Sequence, residues 1–253
     1  GTLTTLLFDV DGTLAETEEI HRGSFNRAFA QAGLDWVWSR ALYAALLRVT
    51  GGKERIRYFL DTHLPDFEAP MQLDEYIAGL HATKTDIYTR TVAAGQVPLR
   101  PGVKRLLDET RRAGMRLAIT TTTTPANVAA LLRHSLAPDA ESWFEVIGAG
   151  SVVPAKKPAP DIYHYVMQKM GVSPAECLAF EDSANGLRSA RDAGVTTLVT
   201  VSEYTCEDNF AGAALVLDHL GEPDRPFTVI SGDAGDGRYV TLDLLRELHA
   251  QCR

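Results

Sequence analysis

Short apolar runs alternate with helical patterns along most of the chain. Three helical stretches, at residues 103–112, 162–170 and 187–192, are each followed by a glycine that suits a left-handed helix stop. The apolar runs have strand length and cover residues 5–8, 117–120, 144–147, 178–180, 197–201 and 215–217. This alternation predicts an α/β fold with a Rossmann-like parallel sheet covered on both faces.

Residues 16–95 interrupt the alternation and show helical periodicity alone. Phe25, Ala28, Phe29 and Ala32 recur at the spacing of one helix face. We therefore expect an inserted α-helical cap at residues 16–97, within an α/β core formed by residues 1–15 and 98–253. Trp36 and Trp38 are predicted to pack inside this cap. The tail, residues 221–253, suggests a helix at 242–248 and no function.

Composition narrows the classes of protein that fit. The chain has 253 residues, of which 45% are hydrophobic and 23% charged, so it can bury one large core and a smaller one. A net charge of −8 argues against nucleic-acid binding, which needs a basic surface. The three cysteines lie far apart, without disulfide or zinc spacing. We expect a monomer that acts on a small molecule.

The cellular location is predicted from two signals that the sequence lacks. No apolar stretch approaches the roughly 20 residues that span a bilayer, and the first residues lack the pattern of a secretory signal. We therefore predict no membrane association and a cytoplasmic protein. Because the sequence begins with Gly1 rather than Met, a plastid stroma stays open as the alternative.

Two carboxylates follow the first predicted strand, in the run Asp9-Val10-Asp11-Gly12-Thr13. A carboxylate nucleophile divides a difficult hydrolysis into two steps through a covalent intermediate, and a second acid can protonate the leaving oxygen. Asp and Gly also cluster in ordinary turns, so the run alone does not decide the matter. Its place at the tip of a buried strand favours catalysis.

Three further polar groups follow later strands. Thr120 to Thr124 could hold phosphoryl oxygens or simply cap a helix, and Lys156-Lys157-Pro158 could neutralise a phosphorylated aspartate or be solvated lysines. Glu181-Asp182 adds acids at another strand tip, where Asp9, the Asp11 carbonyl and Asp182 would suffice as protein ligands for Mg²⁺. Ligands of open parallel sheets bind at such strand ends.

This order of motifs resembles the haloacid-dehalogenase superfamily across residues 3–220. The resemblance implies the haloacid-dehalogenase fold, with Asp9 as the nucleophile and Asp11 as the general acid and base. By the same resemblance, Thr121 and Lys157 bind the transferred phosphoryl group, and Glu181 and Asp182 complete a Mg²⁺ site with Asp9 and Asp11. True dehalogenases lack the second aspartate, so Asp11 argues against carbon–halogen chemistry.

The cap motifs are similar to those of the beta-phosphoglucomutase subgroup, and most of all to CbbY-like sugar-bisphosphate phosphatases. The similar segments are residues 16–21, 36–38 and 50–55. The resemblance implies hydrolysis of xylulose 1,5-bisphosphate, an inhibitor of the carbon-fixing enzyme Rubisco.

The residues themselves suggest how such a substrate is held. Gly51 and Gly52 allow close backbone approach, and Lys53 and Arg55 supply cations for a phosphate remote from Asp9. This segment could equally be a turn followed by a solvated helix end. The remaining predicted substrate ligands are Glu18 and His21 for sugar hydroxyls, and Thr122, Thr123 and Thr124 for phosphoryl oxygens.

Two alternative enzymes stay open from the sequence, and a third possibility, which is not an enzyme, is disfavoured. A sugar phosphomutase would share the aspartyl-phosphate but return the phosphoryl group to the substrate. A phosphoglycolate-like phosphatase would act on a smaller molecule. A receiver-like phosphate-sensing module is disfavoured, because a switch needs neither a substrate lid nor a leaving-group acid.

Overall fold

A seven-stranded sheet forms the centre of the computed structural model, which describes residues 1–95 and 97–252. The strand order is β3-β2-β1-β4-β5-β6-β7, and all the described strands run parallel except β7, which is antiparallel to β6. The strands are β1 (Thr5–Phe8), β2 (Arg116–Thr120), β3 (Val146–Gly148), β4 (Cys177–Glu181), β5 (Thr196–Thr200), β6 (Leu215–Leu217) and β7 (Val229–Gly232). The predicted α/β fold is confirmed.

Helices cover both faces of the sheet because neighbouring side chains of a strand point to opposite faces. Leu6 and Phe8 of β1 join one hydrophobic cluster with Leu106, whereas Leu7 joins a second cluster with Ile162. The helices that accompany the sheet are α5 (Val103–Arg112), α6 (Pro125–Leu131), α7 (Asp161–Met170), α8 (Ala184–Asp192) and α9 (Leu242–Gln251).

Four helices between β1 and α5 form a bundle with its own core. They are α1 (Glu18–Gln31), α2 (Arg40–Leu46), α3 (Gly52–His63) and α4 (Leu73–Gly95). Trp36 and Trp38 are buried there against Phe25, Phe29 and other aromatic rings, as the sequence predicted. We propose residues 16–97 as the cap on this basis; Gln96, within that range, lies outside the described residues.

The structure corrects two details of the predicted elements. The third strand begins at Val146, because Phe144 follows a short turn of 3₁₀ helix and contributes to the core rather than to the sheet. The tail adds β7, an exposed edge strand that its Gly-, Pro- and Asp-rich surroundings did not predict. The tail helix is present as α9, and Arg253 lies outside the described residues. Among the helices described, none has the length and apolar character to cross a membrane.

Candidate active site

The carboxyl ends of β1, β2 and β4 bring the predicted motifs together. Strand β1 lies between the other two, and the backbone N–H of Asp9 donates to the Phe180 carbonyl over 3.0 Å. Lys157 donates through Nζ to Asp9 Oδ1 over 3.1 Å, to Glu181 Oε1 over 2.7 Å and to the Thr120 carbonyl over 2.8 Å. One buried ammonium therefore joins three strand ends at the predicted nucleophile.

Charge in this cluster is unbalanced. Burial alone would lower the pKa of Lys157, but the negative charges of Asp9 and Glu181 outweigh burial and raise it. Burial and the charge of Asp9 raise the pKa of Glu181 to about 8, and the same causes raise the pKa of Asp182 well above its ordinary value. Lys157 contacts two of the three acids, Asp9 and Glu181, and one ammonium cannot balance three carboxylates, which leaves room for another cation.

The acidic group fits a hard metal ion. Carboxylate oxygens of Asp9, Glu181 and Asp182 all lie within 4.8 Å of one another. The buried Oε2 atom of Glu181 has no hydrogen-bond partner among the described residues, although buried carboxylate oxygens are normally paired. Oxygen donors of this kind are those that Mg²⁺ and Ca²⁺ prefer. The residues present therefore suit a metal of that class.

Gly12 and Gly186 make space for these acids. A Cβ atom on Gly12 would lie 2.0 Å from Asp182 Oδ2, and a Cβ atom on Gly186 would lie 2.0 Å from Glu181 Oε2. Gly12 also has φ = +80°, a conformation that glycine adopts without penalty. Gly12 is thus required both by its backbone conformation and by the space that the Asp182 carboxylate occupies.

Asp11 faces the cap rather than the metal-ligand cluster. Its Oδ1 atom accepts from Thr17 and lies 2.8 Å from His21 Nε2, while Lys84 Nζ lies 2.8 Å from His21 Nδ1. Burial disfavours the ionised form, but the interactions with His21, followed by the hydrogen bond from Thr17 and the charge of Lys84, outweigh burial and lower the pKa of Asp11 to about 2. Asp11 is therefore a carboxylate at neutral pH, which is the form a general base needs.

Lys84 fixes the hydrogen bonding of His21. Burial lowers the pKa of Lys84 to about 8, so an ammonium predominates at pH 7, and an ammonium can only donate. His21 Nδ1 must then accept, and Nε2–H donates to Asp11. Both ring nitrogens of His21 are occupied, so this geometry assigns His21 to the support of Asp11. Its contact with a sugar hydroxyl remains a prediction.

The threonine run follows β2 and lies on the wall of the cleft. Thr121 is buried, and its hydroxyl accepts from the Thr123 backbone N–H over 3.2 Å. Thr124 caps α6 by accepting from the Asn127 N–H over 3.3 Å, which is the capping role that the sequence left open. Thr122 and Thr123 are half-buried and also line the cleft. The binding of phosphoryl oxygens by this run remains a prediction.

The cap wall carries the other predicted substrate ligands. Gly51, Gly52, the exposed Lys53 and Arg55 all line the cleft. Arg55 also donates to the carbonyls of Leu46 and Val49, so part of its guanidinium holds the turn before α3.

Glu18 borders the cleft near Asp11. It accepts from the Tyr43 hydroxyl over 3.3 Å, and burial raises the pKa of its carboxyl. A second acidic group, Asp11, Glu18 and His21, is compact enough for a metal, but Lys84 already supplies its cation.

The cleft between cap and core has a volume of about 1070 Å³. Hydrogen bonds cross it on two sides. On one side, Asn185 Nδ2 donates to the Arg48 carbonyl over 3.0 Å, and Lys156 Nζ lies 3.0 Å from a Glu54 oxygen. On the other, the Tyr204 hydroxyl donates to Glu19. The structure therefore shows the cap in contact with the strand ends.

Lys84 and Tyr163 are site residues that the sequence reasoning missed. Tyr163 donates to Glu181 from α7. Lys84 is 3% exposed and shares the buried face of α4 with Leu80, Ile87 and Tyr88. A lysine on an apolar helix stripe is the signal that could have identified it, because lysines are rarely fully buried without a partner.

Comparisons with known proteins agree with this geometry. The model of the haloacid dehalogenase-like hydrolase family matches residues 3–194. The chain is 47% identical to protein CbbY of Cupriavidus necator over 96% of both chains, and 52% identical to protein CbbY of Rhodobacter capsulatus over 83% of this chain and 91% of that one. A crystal structure of a CbbY mutant from Rhodobacter sphaeroides, in complex with xylulose 1,5-bisphosphate, is 46% identical. It has a TM-score of 0.82 and covers 86% of this chain and 94% of that one.

The chain thus belongs to the haloacid dehalogenase-like hydrolase family and, within it, resembles the CbbY proteins over most of its length. It is an enzyme, a phosphatase. A beta-phosphoglucomutase structure from Clostridium difficile is 17% identical with a TM-score of 0.70, and this likeness concerns the fold alone.

Proposed function

We propose that this phosphatase is Mg²⁺-dependent and hydrolyses a sugar bisphosphate, with xylulose 1,5-bisphosphate as the first candidate. The main support for the proposal is that candidate phosphate ligands line one cleft from both the core and the cap. Asp9 and Lys157 line the cleft from the core, and the Gly51-Gly52-Lys53 segment lines it from the cap. The bisphosphate bound by the related CbbY structure supports the choice of substrate.

In the proposed reaction Asp9 and Asp11 share the chemistry. Asp11, a carboxylate in the free enzyme, takes up a proton when the anionic substrate binds beside it, because a nearby negative charge favours its neutral form. A carboxylate oxygen of Asp9 then attacks phosphorus and the bond from phosphorus to the sugar oxygen breaks, while Asp11 gives that oxygen its proton. Asp11 then takes a proton from water, whose oxygen attacks the aspartyl-phosphate. The bond between Asp9 and phosphorus breaks, and phosphate leaves.

Neighbouring residues hold charge during both steps. Lys157 and Thr121 bind the phosphoryl group, and His21, oriented by Lys84, donates to Asp11. Asp9, Glu181, Asp182 and the Asp11 carbonyl would hold Mg²⁺, which supplies positive charge to the phosphoryl oxygens when bound. In this proposal Glu18, which lines the cleft, accepts a hydrogen bond from a sugar hydroxyl.

A substrate panel tests the proposal. Phosphate release and isomer formation would be measured together for xylulose 1,5-bisphosphate, sugar monophosphates, phosphoglycolate and an aryl phosphate. We expect the highest kcat/KM for the bisphosphate, with net phosphate release. Isomer formation without phosphate release would instead indicate a phosphomutase, and a preference for phosphoglycolate would remove the sugar bisphosphate.

A further inference from the structure

Arg100 is a buried arginine at the point where the chain returns from the helical bundle to the sheet. It is 8% exposed, although arginines are rarely buried without partners. Its backbone N–H donates to the Leu14 carbonyl over 2.9 Å, and its Nε atom lies 3.6 Å from Glu16, so it lies against the segment that leads out to the bundle. A buried guanidinium has five N–H groups that need acceptors.

The guanidinium of Arg100 binds backbone carbonyls from three segments. Nη1 donates to the Gly12 carbonyl over 2.5 Å, to the Thr200 carbonyl over 3.3 Å and to the Thr200 hydroxyl over 3.2 Å. Nη2 donates to the carbonyls of Val201 and Asp218 over 2.6 Å and 2.7 Å. One side chain therefore joins the segments at or just beyond the ends of β1, β5 and β6.

Two of these segments contact Asp182. A Cβ atom on Gly12 would lie 2.0 Å from Asp182 Oδ2, so the backbone that Arg100 holds passes directly beside that carboxylate. The Val201 carbonyl belongs to the peptide unit that leads into Ser202, whose hydroxyl donates to Asp182 Oδ2 over 3.1 Å. Arg100 thus fixes two stretches of backbone that meet the same carboxylate oxygen.

The shape of the guanidinium suits this task. Its five N–H donors form a rigid planar fork, whereas a lysine ammonium carries three donors at the end of a flexible stem. A rigid fork sets the distance between the acceptors that it binds. The spacing between the Gly12 and Val201 carbonyls, and with it the space left for Asp182, therefore depends on an arginine at position 100.

We propose that Arg100 is a positioning residue for the metal site, which keeps Asp182 oriented for Mg²⁺ by holding the carbonyls of Gly12 and Val201. The inference rests on the Mg²⁺ dependence in the proposed function and adds to it a residue that no motif identified. Arg100 acts through the backbone and through Ser202. Partners that hold a ligating carboxylate typically change metal affinity by about 10- to 100-fold when they are lost.

Thermal unfolding at a series of Mg²⁺ concentrations tests the proposal without an activity assay. A ligand that binds the folded state raises Tm with its concentration, and the titration gives the Kd. The variants are Arg100→Met, Arg100→Lys and Ser202→Ala. Arg105→Met is the matched control, because Arg105 also donates to two backbone carbonyls, those of Gly221 and Val240, but these lie in the tail.

We expect the Kd for Mg²⁺ to rise by about 10- to 100-fold in Arg100→Met and by about 10-fold in Arg100→Lys and in Ser202→Ala. Arg105→Met should lower the Tm of the metal-free protein but keep the Kd of the wild type. Effects of independent sites multiply in Kd, whereas residues that act through each other fall short of that product. Adding Ser202→Ala to Arg100→Met should therefore raise the Kd by less than it does in the wild type.

Failure of this inference differs from failure of the proposed function. If the Arg100 variants lower Tm but keep the wild-type Kd, or if Arg105→Met weakens Mg²⁺ binding equally, Arg100 has only a structural role. If neither Arg100 variant folds, Ser202→Ala decides, and an unchanged Kd there would overturn the inference. If Mg²⁺ does not raise the Tm of the wild type, or still raises that of Asp182→Asn, the proposed metal site itself is wrong and this inference falls with it.

Discussion

Replacing Gly12 with Ala would place a methyl group where the Asp182 carboxylate lies. The added Cβ atom would be 2.0 Å from Oδ2 and 2.8 Å from Cγ of Asp182, whereas ordinary contact begins near 3.4 Å. Asp182 is buried and held by Ser202 over 3.1 Å. The carboxylate must therefore move by more than 1 Å.

The substitution should lower the free energy of unfolding for two reasons, which a control variant at another glycine can separate. A residue with Cβ in the left-handed region costs about 1–2 kcal/mol of stability, and Gly12→Ala adds about 1–3 kcal/mol for overpacking. Gly114 has a similar φ of +74°, but no atom of the described residues lies within 4 Å of the place that its Cβ would take, so Gly114→Ala carries the first part alone. Misplacement of a catalytic group by about 1 Å can cost 10²-fold in rate.

We therefore expect Gly12→Ala to lower kcat/KM by about 10²-fold or more, and to raise the Mg²⁺ concentration needed for half-maximal activity. Gly114→Ala should keep both values near those of the wild type. Urea denaturation would give the free energy of unfolding of each variant, and phosphate release from an aryl phosphate would give its activity. Equal activity in the two variants would refute the argument that Gly12 makes room for Asp182.

Three further predictions follow from the site. Asp9→Asn should retain its circular dichroism spectrum but lose activity to below about 1%, because an amide is a poor nucleophile; higher turnover would rule out covalent catalysis. Chelation by EDTA should stop phosphate release and added Mg²⁺ should restore it, whereas metal-free activity would remove the metal from the mechanism. Asp11→Asn should slow the first step, phosphoryl transfer to Asp9, by about 10²–10⁴-fold with a sugar phosphate and much less with p-nitrophenyl phosphate, while the loss of the base in the second step is common to both substrates; Lys84→Met should reproduce this contrast in weaker form. Parallel losses on the two substrates would exclude the acid role.

The sequence predicted the core of this protein because its signals are local. The parallel strands are short and mostly apolar, and the catalytic candidates follow them directly, as Asp9 follows β1 and Asp182 follows β4. Parallel pairing then places the ends of β1 and β4 side by side. The positions of Asp9 and Asp182 directly after these strands therefore implied that the two carboxylates lie close together.

The site residues that the sequence did not predict are brought to the site by contacts between segments that lie far apart in the chain. Lys84 and His21 are 63 positions apart, and their hydrogen bond exists because α1 and α4 pack together in the cap. Ser202 and Tyr204 lie on the loop after β5, where no motif indicated contact with Asp182 or with Glu19. Helical periodicity predicts which face of α4 is buried, but it does not identify the side chain that this face meets.

The overall charge of −8 explains why the cations of the cleft must be local. A sugar bisphosphate brings negative charge to both ends, and the reacting end already holds Asp9, Glu181 and Asp182 around Lys157. In the proposed function, Mg²⁺ balances that end and Lys53 on the cap the other. Thr50, just before the Gly51-Gly52 turn, donates to the Lys157 carbonyl, so a displacement of this turn would disturb both ends of the cleft. Loss of a single side chain separates them: losses confined to bisphosphates should map to cap side chains such as Lys53, and losses on every phosphate ester to Asp9 and Lys157 in the core.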